Sequence, residues 1–345
     1  MTAKRPTIRD VAALAGVSVA TVSRVLSGDY PVAGPTRTRV QRAVRDLDYV
    51  VNAHARALSG ATSKVVALVL FDVTTPFYAH IAAGVEAQAA ETGRLCLVCT
   101  TGGDPDRELE IVKLMREQHA DAVILVGGVT MTDDYRERMR RYAKALEDGG
   151  SRLVLCGRPA PAPDFPAVTV EYDNTGGAFA ATSHLLSAGH RRIAFLGGAV
   201  GNTTFDGRDT GYRAAMAAFG AAVDPALVSH SPRLSPDYGA DRVNELLAAG
   251  TDFTAIFAAN DHVAAGAMRA LRAAGRRVPD DVSIIGYDDA PFAQDLSTPL
   301  TSVHLPHDEL GRTAVRLALQ RTGPARRHVM LGTHITIRDS VRPLV

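Results

Sequence analysis

Apolar positions in the first fifty residues fall at helical spacing. Val11, Leu14 and Ala15 recur three to four residues apart, which predicts a helix with one apolar face. Thr7 and Asp10 have the spacing of a capping box at its start. Gly16 follows the last apolar residue, where a left-handed C-cap favours glycine. Ser18 can cap a second helix running through Thr21-Val22-Ser23-Arg24-Val25-Leu26. Two short helices joined by a tight glycine turn predict a helix-turn-helix, its second helix exposing Val19, Ala20, Ser23 and Arg24. Gly28 to Gly34 is turn-rich, and Pro35 suits the first position of a third helix. That helix turns Val40, Ala43, Val44 and Leu47 inward and Arg37, Arg39, Arg42 and Arg45 outward. Asn52 can cap one more helix ending near Gly60, too short to be stable alone in water.

From Lys64 the pattern changes. Aliphatic and β-branched runs at Val65–Phe71, Leu95–Thr100, Ala122–Val126, Leu153–Cys156, Ala167–Val170, Arg192–Leu196, Thr254–Ala258 and Val282–Tyr287 read as strands. Helical patterns lie between them, at Phe77–Glu91, Arg107–Gln118, Thr175–Ala188, Gly207–Phe219, Asp237–Ala249 and His262–Ala274. Such alternation predicts parallel sheets reached by right-handed crossovers and covered on both faces. The pattern alone leaves two options: two sheets with a cleft between them, or one closed barrel.

Length and charge sharpen this. The 345 residues suggest two or three domains. Residues 1–60 carry nine Lys/Arg against four Asp, a net +5, and the remaining residues carry 29 basic against 33 acidic, a net −4. A basic head on an acidic body suits a polyanionic partner at the head alone. Cys96 and Cys99 have metal-like spacing, but they lie in an apolar run that reads as a buried strand. Alternation puts them on opposite faces, and no second Cys/His pair stands at zinc spacing. With Cys156 they read as structural thiols, and no metal is expected. No run approaches membrane-spanning length and no secretion segment is seen, so a cytoplasmic protein without a membrane partner is expected.

The string Asp10-Val11-Ala12-x-x-Ala15-Gly16-Val17-Ser18-x-x-Thr21-Val22-Ser23-Arg24-Val25-Leu26, followed by Asn52-x-x-Ala55-Arg56-x-Leu58, resembles the N-terminal signature of the LacI/GalR family of bacterial transcription regulators. Downstream, Asp173-Asn174, Leu185 to Ala194, Ala259-Asn260-Asp261 and Ile284 to Asp289 resemble the same family's body, so the resemblance covers nearly the whole chain. It implies an all-α helix-turn-helix DNA-binding domain over 1–51, a hinge helix and linker over 52–62, and an effector-binding and dimerisation domain over 63–345. That body is expected to be an α/β two-lobed periplasmic-binding-protein-like domain with parallel sheets and three crossovers, near Glu171–Asp173, Asp289–Phe292 and Arg327–Gly332. Lobe one is then about 63–171 and 293–327, and lobe two about 172–292 and 328–345. In the family the hinge helix orders on operator binding and wedges a leucine into the minor groove, and Leu58 stands at that position with Ala55 and Arg56 around it. Relatives often carry a serine N-cap near Ala33, which is missing here.

Candidate chemistry follows. Val19 and Ala20 occupy the base-reading positions, small and apolar enough for van der Waals contact with a thymine methyl. Arg24 is expected on a base edge or phosphate, and Thr7, Ser18, Thr21, Ser23 and Asn52 complete the DNA-binding set. Ligands of two-lobed α/β proteins bind outside the carboxyl ends of strands. Three motifs sit there: Pro76-Phe77-Tyr78, Asn260-Asp261 and Asp288-Asp289. Arg208 opens a helix after a glycine-rich stretch. Arg208, Asn260 and Asp288 match effector-contacting positions, and Phe77, Tyr78, Phe205 and Tyr238 could stack on a ligand. Asp261 and Asp289 are expected to cap the helices that follow them. Two departures bear on the effector. Gly157 stands where many relatives have Asp, and Leu305 where sugar-responsive members have Gln.

No dinucleotide fingerprint, Walker lysine, nucleophile elbow or His-Glu-x-x-His occurs, so neither an enzyme nor a cofactor is expected. The expected protein is a homodimeric repressor on a palindromic double-stranded DNA operator, released by a small-molecule effector that is a sugar or sugar derivative. Tetramers in some relatives need a leucine-repeat tail, and the chain stops at Pro343-Leu344-Val345, which favours the dimer. The alternatives are a corepressor-dependent regulator of nucleoside or other metabolism and, remotely, a solute-binding protein.

Overall fold

The structure is a computed structural model and describes residues 6–27, 31–49, 63–320 and 328–344. The chain divides into two compact units, Met1–Ser63 and Lys64–Val345.

Among its described residues the first unit holds three helices, α1 (Ile8–Ala15), α2 (Val19–Ser27) and α3 (Gly34–Asp46). The Asp10 carboxylate accepts from both the N–H and the hydroxyl of Thr7 at 2.7 Å, which fixes the start of α1. Gly16 ends the helix at φ 63°, ψ 41°, and the Val17 N–H closes back on the Ala12 carbonyl at 3.1 Å. Ser18 Oγ accepts the Thr21 N–H at 3.1 Å and so caps α2. Helix α3 has no side-chain cap at Ala33, and Pro35 lies in its first turn. Val11, Ala12, Ala15, Val22, Val40 and Ala43 are buried between the three helices. Leu14, expected in that core, is instead 56% exposed. The inner face of α1 runs through Ile8, Val11, Ala12 and Ala15, and Leu14 falls on its flank.

The second unit is built on two six-stranded sheets. The first contains β1 (Val65–Leu70), β2 (Leu95–Thr100), β3 (Ala122–Val126), β4 (Arg152–Cys156), β5 (Val168–Tyr172) and β11 (His328–Leu331), in the order β11-β5-β4-β3-β1-β2, all parallel. The second contains β6 (Ile193–Gly197), β7 (Val228–His230), β8 (Ala255–Ala258), β9 (Ser283–Asp288), β10 (Thr301–His304) and β12 (His334–Thr336), in the order β12-β10-β9-β8-β6-β7. Only the edge pair β10/β12 of this sheet is antiparallel. Helices α4 (Pro76–Glu91), α5 (Pro105–Glu117), α6 (Asp133–Asp148) and α11 (His307–Leu319) cover the first sheet. Helices α7 (Asn174–Ser187), α8 (Thr203–Ala218), α9 (Pro236–Ala248) and α10 (Asp261–Ala273) go with the second. Because both faces of each sheet are covered, the central strands are continuous apolar runs rather than alternating ones. The two-sheet arrangement replaces the closed-barrel option.

The chain crosses between lobes three times, at 172–174, 304–307 and 331–334. The first matches expectation. The second was expected near Asp289–Phe292, with 293–327 in lobe one. Instead β10 stays in the second sheet, beside β9, and only α11 returns. The third was expected near Arg327–Gly332, with 328–345 in lobe two, but β11 pairs with β5 in the first sheet. Strands of three or four residues carry too little period to register in the sequence, and β7, β10, β11 and β12 are of that kind. Helices α6 and α11 were also unassigned, although Tyr135, Met139, Tyr142, Ala143 and Leu146 bury a regular stripe of α6.

Strand β2 corrects another expectation. It was read as buried, but it is the sheet edge, with Leu95, Leu97 and Val98 exposed. Cys96 and Cys99 do point to opposite faces, Cys96 toward the cluster that bridges the lobes and Cys99 toward the outer face of lobe one. All three cysteines are free, and burial pushes the Cys96 thiol up to about 11.

Helices α4 and α11 meet across two glycines. A Cβ on Gly84 would press into the Asp308 carbonyl oxygen, and one on Gly311 would lie 2.5 Å from the Ile81 oxygen. Both obstacles are main chain, so no rotamer change relieves them. Gly84→Val is expected to destabilise the protein by about 1–3 kcal/mol or more through overpacking. Urea unfolding followed by circular dichroism checks this, and an unchanged midpoint contradicts the close approach.

Candidate functional site

The head exposes one face of α2. Val19, Ala20, Ser23 and Arg24 are exposed along α2, and Thr21 is half-buried with its hydroxyl 2.9 Å from that of Ser18. Ser18 therefore does double duty: its lone pair caps the helix, leaving its proton for an acceptor. The Thr7 hydroxyl proton is committed to Asp10, so Thr7 can donate to a phosphate only by exchanging that bond. The first-turn N–H groups of α2 lie at the positive end of its dipole, where phosphate binding is favoured. Arg37, Arg39, Arg42 and Arg45 are exposed along α3. Asn52, Ala55, Arg56 and Leu58 lie outside the described residues.

In the body, the carboxyl ends of β8 and β9 and the start of α8 converge on one guanidinium. Arg208 is 2% exposed. Its Nε donates to Asn174 Oδ1 at 3.0 Å, Nη1 to the Ala259 carbonyl, and Nη2 to Asp288 Oδ1 at 3.2 Å. The Tyr287 ring centroid lies 3.7 Å from the guanidinium carbon and the Phe205 centroid 5.7 Å. Three of the five donors are thus used, and the cation is neutralised as a buried charge must be.

Asp288 and Asp289 both sit in left-handed backbone, at φ 97° and 55°. This costly conformation turns adjacent carboxylates apart. Asp288 faces Arg208; burial raises it from 3.8 to about 6, against the pull of Arg208. Asp289 faces away, to Arg338 at 2.7 Å, His304 at 2.9 Å and Thr336 at 3.0 Å. Burial acts to raise it, but these hydrogen bonds outweigh that and hold it below 3.8. Neither aspartate caps a helix, contrary to the expectation for Asp289. Nor does Asp261: Asn260 Oδ1 accepts the Val263 N–H at 2.9 Å and caps α10 in its place. Asp261 is buried, accepting from the Ala290 N–H and the Ser302 hydroxyl, both at 2.6 Å, and burial together with Asp288 pushes it well above its ordinary value.

Of the residues expected at an effector site, Phe77, Asn260 and Asp288 line one cavity between the lobes. It measures about 20 Å³, room for a single water and no more. Phe77 packs edge-on to Tyr78, Tyr172 and His307, with centroids 5.0, 6.1 and 5.4 Å away. Tyr78 turns to a neighbouring chamber in lobe one. Tyr238 does not line the cavity; its hydroxyl is 2.9 Å from Ser229 Oγ and its ring packs on the outer core of lobe two. Gly157 adopts φ 69° against the Tyr172 ring, and Leu305 is buried in the core, so neither departure supplies a polar group.

Sequence reasoning missed His307. It is buried against His80, Nε2 has no hydrogen-bond partner, and burial, reinforced by His80, His304 and Arg208, pushes it down to about 3. A lone histidine beyond a misplaced crossover gave no signal. Asn174 was noted as part of a motif, but its role as the acceptor for Arg208 was not. Among the described residues no cluster of three or more His, Cys, Asp or Glu could hold a metal, and no helix is long and apolar enough to cross a membrane.

Comparison with known proteins gives the lineage. Residues 7–52 match the bacterial regulatory proteins of the lacI family, and residues 182–341 match the periplasmic binding protein-like domain. The chain is 38% identical over 347 residues to the HTH-type transcriptional regulator CelR of Thermobifida fusca, covering 98% of both chains. It is 34% identical over 345 residues to the HTH-type transcriptional regulator DegA of Bacillus subtilis, covering 99% of both. A solved complex of the transcriptional regulator CelR with cellobiose superposes with a TM-score of 0.71 at 36% identity, over 97% of this chain and 100% of that one. The match runs over nearly the full length of these regulators, and the chain belongs to the LacI family of bacterial transcription regulators.

Proposed function

We propose that the protein is a homodimeric cytoplasmic repressor that binds a palindromic operator and is released by a small neutral polar effector, a sugar or sugar derivative. One observation carries the reading: the chain that bears an exposed DNA-reading helix also buries an Arg208–Asp288 pair at the strand ends between two lobes. A twofold dimer places two copies of α2 on two half-sites, which makes the operator an inverted repeat. Once the lobes part beyond the single-water gap seen here, the spare N–H groups of Arg208 donate to a hydroxyl and Asp288 accepts from one, so the pair complements a diol. Relatedness to a regulator solved with cellobiose supports the sugar class. The effector acts by changing the relation between the lobes, a coupling of about 1–3 kcal/mol in typical allosteric proteins. No cofactor and no catalytic step enter this scheme. A corepressor would bind the same cleft but raise operator affinity, so the sign of the effector's effect in a DNA-binding titration decides between the two.

Arg24→Ala is expected to weaken operator binding by about 1–3 kcal/mol, the usual worth of a base-edge contact, with a smaller loss on bulk DNA. Fluorescence anisotropy on operator and scrambled duplexes at one salt concentration checks this; equal losses on both contradict a reading role. Asp288→Asn is expected to abolish the effector response and keep operator affinity, measured in the same titration. The substitution also has a pH signature. With its ordinary value of 3.8 raised to about 6 in the fold, Asp288 binds its proton more tightly in the native state. The stability linked to that proton is full below about pH 4 and is lost as pH rises through about 6. Wild type should therefore lose about 1–3 kcal/mol relative to Asp288→Asn between those limits. Urea midpoints across the range test it, and a constant difference contradicts the assignment.

A further inference from the structure

The crossovers join the lobes covalently at 172–174, 304–307 and 331–334. A noncovalent tie joins them elsewhere, between the loop after β3 in lobe one and the loop that opens α8 in lobe two. The Thr203 N–H donates to the Val129 carbonyl at 2.9 Å, and the Val129 N–H donates to Thr203 Oγ1 at 3.2 Å. Beside them Thr130 and Asn202 form an antiparallel β-bridge. None of these four residues belongs to either sheet, so the contact is not part of the core of either lobe.

Each loop is braced within its own lobe. In lobe two the Gly201 N–H donates to Asp206 Oδ1 at 2.9 Å, the Asn202 N–H to the Ala199 carbonyl at 3.2 Å, and the Thr204 N–H to Asn202 Oδ1 at 3.1 Å. In lobe one Arg158 donates to the Val126 and Gly127 carbonyls, both at 2.7 Å, and the Thr132 N–H donates to the Thr130 carbonyl at 2.9 Å. Braced loops lose little chain entropy on joining, so the bonds between them survive as net attraction. The approach is also close. A Cβ on Gly128 would press into Asn202 Oδ1 and the Thr204 side chain. Gly128 lies outside the left-handed region, so space and not backbone conformation calls for glycine there. The tie bears on the cleft directly, because Thr203 opens the helix that carries Arg208. With the lobes so joined, the gap at Asp288 has room for one water. Anything larger requires the lobes to part.

We infer that Val129 and Thr203 form a latch that holds the lobes shut in the ligand-free protein, and that the shut form is the one that binds operator, so that unlatching releases DNA. The second half rests on the proposed repressor reading, and the first stands without it. Hydrogen–deuterium exchange of the ligand-free full-length protein, read on peptides over 128–133 and 200–206, tests the first half. Thr203→Val removes the accepting hydroxyl at nearly constant volume and should speed exchange at 128–133, on the other lobe, about threefold to tenfold, the usual effect of one hydrogen bond. Thr203→Ser restores the acceptor and should exchange like wild type. Gly128→Val excludes the shut form by bulk and should speed exchange at 200–206, again across the cleft. Unchanged exchange over β1 and β9 reports that the variants are folded. The second half is read by fluorescence anisotropy on an inverted-repeat duplex that wild type selects from random-sequence DNA. Gly128→Val should bind it roughly tenfold or more weakly with no effector present. If a variant leaves the loop on the opposite lobe exchanging as in wild type, the latch is overturned. If Gly128→Val unlatches but binds the duplex as tightly as wild type, the link to DNA is overturned. If wild type selects no inverted repeat, the repressor reading fails and that link with it, while exchange alone decides the latch.

Discussion

The body of this protein is arranged around one buried cation. A guanidinium removed from water is tolerable only if charge and hydrogen bonds surround it. Here they come from three separate places in the chain: Asn174 just after the first crossover, the Ala259 carbonyl after β8, and Tyr287 with Asp288 at the end of β9. Those segments belong to three different strand–helix turns, and Arg208 holds their ends to one another. The same grip explains why Asp288 tolerates a backbone conformation that residues with side chains avoid.

Around that anchor, charge is divided by a one-residue rule. Asp288 is held against burial by one cation, while its neighbour Asp289 is tied down by Arg338, His304 and Thr336 on another strand pair. Asp261 lies close to both and accepts two short hydrogen bonds that leave it little water. Three carboxylates crowd the end of one sheet, and of these only Asp289 has several cationic or hydroxyl partners.

The elements legible in the sequence were those with a strong period or a local capping signature. Thr7 with Asp10, Gly16 and Ser18 marked helix ends because capping has local chemistry, and the structure places their bonds accordingly. The buried runs Val65–Leu70 and Ala122–Val126 were plain because central parallel strands are apolar on both faces. What escaped was set by tertiary context. Leu14 was assigned inward because spacing cannot distinguish a stripe's centre from its flank. The edge strand β2 has the same composition as a central one, and only its neighbours decide the difference. The choice between Asn260 and Asp261 as a cap turned on where Ser302 and Ala290 would lie, some forty and thirty residues away. Arg208 and Asp288 were singled out through resemblance, but the buried His307 was not, since α11 went unassigned.

The late return of α11 has a consequence for biosynthesis. Helix α4 presents Gly84 and its neighbours to a groove that only α11 fills, and β11 then completes the sheet edge beside β5. Both arrive after five of the six strands of the intervening lobe, β6 to β10. A nascent chain on the ribosome therefore carries its first lobe unfinished, with an apolar furrow open, until residues 307–331 emerge. The lobe that comes first in the gene therefore closes only after most of the second has been made.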